Sequence, residues 1–182
     1  KELEDVLREL KRILEELEKL SREADERSKE IVKRLVEETT RSLKEVKEIV
    51  ERLKELDDAG KDRREVEKRL RDAHRKNEDT LRRSSEKLDR VLKESERVVR
   101  DSSTKLRKVL KDAEDVVRDK VEDEKRAREV RETVRKLVED VKKKNEESER
   151  RNRELVKEVR KRNKEVRDRS RKLVKELEDK LR

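Results

Sequence analysis

The sequence predicts an all-α protein, an elongated antiparallel up-down-up three-helix bundle of nearly straight helices, each roughly 60 residues long. Three observations predict it. The chain is 61% charged and 27% apolar, and it lacks Phe, Trp, Tyr, Met, Cys and Pro. That is the composition of long helices rather than of a thick globular core. Its apolar residues recur every eighteen positions: Ile13, Ile31 and Ile49, and likewise Leu17, Leu35 and Leu53. Its one glycine, Gly60, sits between two such patterned stretches.

Eighteen residues make five turns at 3.6 residues per turn, so an apolar seam with this period runs parallel to the helix axis. A seven-residue repeat imposes a left-handed supercoil and an eleven-residue repeat a right-handed one; this period imposes neither. Disorder would otherwise be the reading for so polar a chain, but disordered chains carry no such period.

The first helix is expected over about residues 2–58, ending at Gly60, which can supply a left-handed C-terminal residue. Asp62 with Glu65 reads as a capping box opening the second helix. That helix is expected over about 62–119, with Leu70, Leu88 and Leu106 in phase and Leu81, Val99 and Val117 in phase. The third is expected over about 123–181, where Leu137, Leu155 and Leu173 step by eighteen, as do Val141, Val159 and Leu177. The turn between these two carries no Gly or Pro; Asp119 and Asp123 are its candidate caps. Without it residues 62–182 would form one helix roughly 180 Å long, against three matched helices of roughly 85–90 Å with it. The whole of 1–182 then forms a single helical-bundle domain.

Charge is uneven along the chain. Residues 1–58 carry 15 basic and 19 acidic side chains, net −4; residues 61–121 carry 21 and 15, net +6; residues 122–182 carry 24 and 17, net +7. An acidic helix beside two basic ones suits pairing within a bundle. The Arg-rich stretch 148–170 could meet phosphates, but acids interrupt it and no aromatic is present for base stacking. Nucleic acid and membrane surfaces are therefore disfavoured as partners, and the basic coiled-coil reading is kept only as a distant alternative. No apolar run approaches a membrane span and no signal peptide opens the chain. The chain reads as soluble, with no targeting signal. The missing initiator Met suggests a removed tag or leader, and recombinant cytoplasmic expression is the expectation.

Several seam positions are polar. They are Ser21, Ser28, Thr39 and Ser42; Asn77, Thr80, Ser84, Ser95 and Ser102; and Asn145, Ser148, Asn152, Asn163 and Ser170. Folding the chain at about 60 and 121 brings Thr39 and Ser42 level with Asn77, Thr80 and Asn163. It brings Ser21 and Ser28 near Ser95, Ser102, Asn145 and Ser148. The expectation is buried hydrogen-bond layers that fix register and partner choice at some cost in stability. The competing reading is that each hydroxyl bonds its own helix and each Asn leans to solvent.

Chemistry finds little to work with. His74 is the only histidine, in the slot that Leu92 and Leu110 fill one and two repeats later. One histidine without converging ligands makes no metal site, so it reads as a network member near Asn77 or as a seam-edge residue. No glycine-rich loop cradles phosphate. The expectation is no enzyme activity, no cofactor, no metal and no small-molecule substrate.

With these features the chain resembles de novo designed helical bundles with built-in hydrogen-bond networks. The carriers are the eighteen-residue repeat, the absent aromatics, Met and Cys, the Asn/Ser/Thr layers, and the Glu/Lys/Arg surface; the glycine-free second turn departs from the pattern. The resemblance implies a scaffold, an oligomer or one half of an orthogonal pair, with the chain itself or another designed helical chain as partner. The apolar faces add a candidate surface. Val32, Val36, Leu43 and Val50 are expected to flank the seam of the first helix, and Leu92, Val99, Leu110 and Val117 that of the second, with enough surplus to dock a further helix.

Overall fold

The computed structural model describes residues 2–55 and 61–181. They form three helices: α1 (Glu2–Glu55), α2 (Lys61–Lys120) and α3 (Glu124–Leu181), of 54, 60 and 58 residues. The expected turn at Gly60 and the end of the first helix beyond Glu55 lie outside the described residues. Because α2 starts at Lys61, Asp62 sits in the first turn rather than at the expected cap position.

The glycine-free turn forms, and Asp123 builds it. Its carboxylate Oδ1 accepts from the Lys125 N–H at 3.0 Å, and its carbonyl accepts from the Ala127 N–H at 2.9 Å. A side-chain acceptor two residues before a free helix N–H is what an N-cap supplies. On the other side, the Val121 N–H still bonds the Val117 carbonyl at 3.1 Å, so α2 closes its last turn before three residues reverse the chain. A capping Asp thus opens α3 in a turn that uses no left-handed residue among the described ones.

The described residues fall into two compact units. One comprises Lys1–Ser28 with Leu92–Arg153, the other Lys29–Val91 with Glu154–Arg182. Each contains a piece of all three helices. In the first, Leu10, Leu14 and Leu17 of α1 pack with Leu106, Val109 and Ala113 of α2 and Val134, Val138 and Val141 of α3. In the second, Val46, Val50 and Leu53 pack with Val66, Leu70 and Ala73 and with Val174 and Leu177. Each fully buried Leu or Val contributes roughly 1.5–3 kcal/mol relative to exposure.

Contacts within each unit give the helix directions. In the second unit Ser42 meets Asn77 and Glu45 meets Lys76, so α1 and α2 run antiparallel. In the first, Asn145 meets Ser102 and Asn152 meets Ser95, so α2 and α3 run antiparallel. Glu18 meets Lys144 while Asp25 meets Arg151, so α1 and α3 run parallel there. In these pairs with α1 the acid lies on α1 and the base on α2 or α3, the placement expected from the uneven charge. Where both partners are exposed, as in Glu45–Lys76, such a pair is worth about 0–1 kcal/mol.

The buried positions explain the repeat. Along α1 they fall at Leu14, Leu17, Ser21, Ala24, Ser28 and Val32, stepping by three or four and returning to phase after eighteen. One expectation is corrected. Val32, Val50 and Val117 are core residues rather than flanks, and Ile13 and Ile49 are only partly buried while Ile31 is exposed. Adjacent apolar residues lie about 100° apart on a helix. Both fit the pattern, but only one of each pair points between the other two helices. Val36, Leu43, Leu92 and Val99 are half-buried, and Leu110 is exposed, as expected of a flank.

Candidate functional site: buried polar layers

Every polar seam residue named from the sequence is buried except Thr80. Which ones meet is a separate matter, and the two units answer it in turn.

In the first unit Asn145 Nδ2 donates to Ser102 Oγ at 2.6 Å. About two turns further along α3, Asn152 Nδ2 donates to Ser95 Oγ at 3.2 Å and to Asp25 Oδ1 at 3.3 Å. Ser148 Oγ also donates to Asp25 Oδ1, and Arg151 reaches Asp25 Oδ2 at 3.4 Å. Asp25 is therefore the acceptor at the centre of this layer, its side chain only 17% exposed. Spacing arguments missed it because an acid in so charged a chain looks like surface. The signal was its phase: Asp25 occupies the slot of Leu7 and Leu43, eighteen residues either way. Ser21 and Ser28 are buried, but among the described residues no hydrogen bond ties either to another helix.

In the second unit Ser42 Oγ donates to Asn77 Oδ1 at 2.9 Å, and Asn163 Nδ2 donates to Ser84 Oγ at 2.9 Å. Asn163 thus pairs with Ser84 and not with Ser42, Asn77 or Thr80. Two expected members bond their own helix instead. Thr39 Oγ1 donates to the Val36 carbonyl at 3.1 Å, and Thr80 Oγ1 to the Lys76 carbonyl at 2.8 Å. A threonine hydroxyl reaches its own preceding turn without help from a neighbour, which is the competing reading realised.

His74 joins this unit's polar set, but toward Ser170 rather than Asn77. Its Nδ1 lies 2.9 Å from Ser170 Oγ and its Nε2 3.4 Å from Glu78 Oε1, which Arg171 also contacts at 3.3 Å. Ser, His and Glu in a line are the residue types of a hydrolytic relay. Ser170, however, is fully buried, and the neighbouring backbone N–H groups are committed to helix. A nucleophile needs access, and its oxyanion needs free donors. Here the string ties α2 to α3.

Among the described residues three buried side-chain atoms have no hydrogen-bond partner: Asn77 Nδ2, Asn145 Oδ1 and Asn163 Oδ1. Among the described residues there is no group of three or more His, Cys, Asp or Glu side chains placed to hold a metal ion, and no helix long and apolar enough to cross a membrane.

No protein-family model matches the sequence, and no curated protein does. Comparison with solved structures finds the chain similar to one described as "Computationally designed three helix bundle". The two are 20% identical, with a TM-score of 0.46, over 98% of this chain and 86% of that one.

Proposed function

We propose that the chain is a non-catalytic, de novo designed three-helix scaffold, whose buried asparagines set helix register and the choice of helical partner. One observation carries the reading. The Asn145–Ser102 pair and the Asn163–Ser84 pair are the same contact displaced by eighteen residues, forward on α3 and backward on α2. A polar pair repeated in step with the seam penalises any slip that would face Asn with Leu or Val. An apolar-only seam carries no such penalty.

The test is size-exclusion chromatography with light scattering on the wild type and on the triple change Asn145→Leu, Asn152→Leu and Asn163→Leu. Mixed or higher oligomers in the triple variant are expected. A single species identical to wild type, with unchanged partner selection, overturns the reading.

A second reading, one component of a larger homo- or hetero-oligomer, has its own observation. Leu20 is 48% exposed and borders a groove of about 380 Å³ with Leu10, Ile13 and Leu17 on its floor and Lys105 and Lys108 on its rim. A further amphipathic helix is the kind of partner such a groove takes. Leu20→Glu should abolish any assembly that uses it and leave the triple variant's behaviour unaffected.

A further inference from the structure

The α1/α2 groove of the first unit carries different charges on its two walls. Leu10 and Leu17 are buried on its floor, Ile13 is partly buried, and Leu20 stands 48% exposed at its edge. All four come from α1. The charged lining on the α1 side is Glu9 and Glu16, two acids and no base. On the α2 side it is Lys105, Lys108 and one acid, Asp112. All five are exposed. Glu16 has Arg12 of its own helix 4.0 Å away. Among the described residues no ion pair or side-chain hydrogen bond engages Glu9, Lys105, Lys108 or Asp112. An apolar strip is thus edged by unspent negative charge along α1 and by mainly positive charge along α2.

Such a face is complementary to itself. A two-fold interface sets one patch against the same patch of another copy. With the axis lying across the helices, α1 faces the other α1 and α2 the other α2, so like charges meet. With the axis running along the helices, each α1 faces the α2 of the other copy at the same height, so opposite charges meet. The heights suit this second arrangement. In this unit α1 runs parallel to α3 and α2 antiparallel to it. Glu16 therefore lies toward the Lys105 end of the groove and Glu9 toward the Lys108 end. We propose that this groove is the interface of a parallel homodimer, in which each copy lays Ile13 and Leu20 of α1 against the lysine wall of the other. The inference rests on the oligomeric reading above and names its occupant, a second copy of this chain. Leu20 then leaves water beneath the aliphatic stems of two lysines, whose ammonium groups reach the acids. Asp112 is the one mismatched charge on its wall, outnumbered two to one. A foreign helix would have to bring the converse pattern, whereas a second copy already carries it at matching heights. Charge of this kind selects partner and orientation more than it adds affinity.

The experiment is native mass spectrometry and light scattering on the full chain over a concentration series, with circular dichroism confirming that each variant stays helical. The wild type should rise from 22.1 kDa to twice that mass. Glu9→Lys with Glu16→Lys makes both walls basic, and Lys105→Glu with Lys108→Glu makes both acidic. Each double variant alone should lose the doubled mass, and an equimolar mixture of the two should recover it. Combining all four changes exchanges the walls. That quadruple variant should dimerise with itself but form no mixed dimer with nitrogen-15-labelled wild type. A wild type that stays at 22.1 kDa at every concentration overturns the proposal and the homo-oligomeric reading together. A doubled mass that survives in either double variant alone, a mixture that fails to associate, or a mixed dimer of wild type with the quadruple variant overturns this interface and leaves the oligomeric reading standing.

Discussion

Asn163 donates its side-chain amide to the Ser84 hydroxyl at 2.9 Å, α3 to α2, and both residues are buried. Replacing Asn163 with Leu adds apolar burial but strands Ser84, a penalty of about 1–3 kcal/mol. These effects oppose one another, so Asn163→Leu alone should change stability by less than roughly 1 kcal/mol. The pair is measured by adding Ser84→Ala and closing the double-mutant cycle in urea. A coupling of about 0.5–1.5 kcal/mol is expected. Additive single effects would mean that the pair contributes nothing.

Asp25 accepts from Ser148, Asn152 and Arg151, three groups of α3. Asp25→Leu, which restores the apolar residue of its repeat phase, leaves Ser148 without that acceptor and Asn152 with Ser95 alone. Destabilisation of about 1–3 kcal/mol is expected from the lost charge-assisted bonds, visible as a lower urea midpoint. A variant as stable as wild type would show that the repeat prefers Leu there and that the acid adds no stability.

Asp123 makes the turn that contains no glycine. Asp123→Ala should cost about 0.5–2 kcal/mol, the range for removing an N-cap acceptor. Asp119→Ala, at the other candidate cap, should cost much less because Asp119 lies inside α2. Thermal melts of the two variants side by side distinguish the positions; equal losses would refute the assignment.

Leu88 is fully buried, whereas Leu110 is 38% exposed. Leu88→Ala should destabilise by about 2–5 kcal/mol. Leu110→Ala should cost under about 1 kcal/mol, since much of its surface already meets water. A large loss at Leu110 would show that the residue is covered in solution, and would favour the oligomeric reading.

The helices were legible because each local signal agreed with the others: composition, an unbroken eighteen-residue period and a single glycine. The second folding point and a fixed rise were enough to set Asn145 near Ser102, but Asn163, expected level with Thr39, Ser42, Asn77 and Thr80, bonds Ser84 instead. Azimuth was not legible. Ile31 and Val32 both satisfy the pattern, and only the packing of all three helices turned Val32 inward. Hydrogen-bond choice was not legible either. Thr39 is buried where the spacing placed it, yet its hydroxyl takes the Val36 carbonyl, an acceptor always within its reach. Asp25 escaped because residue type outweighed phase, although Leu7 and Leu43 marked its slot.

His74 faces Ser170 through one ring nitrogen and Glu78 through the other. A neutral ring there carries its hydrogen on Nε2, because the carboxylate only accepts, so Nδ1 takes the hydrogen of Ser170. The chain has one histidine and no Trp, Tyr or Phe. It is therefore without aromatic absorbance near 280 nm, and its nitrogen-15 spectrum holds a single imidazole. Those two ring resonances are an uncrowded, built-in reporter of whether α2 and α3 stay in register, readable in the unmodified protein.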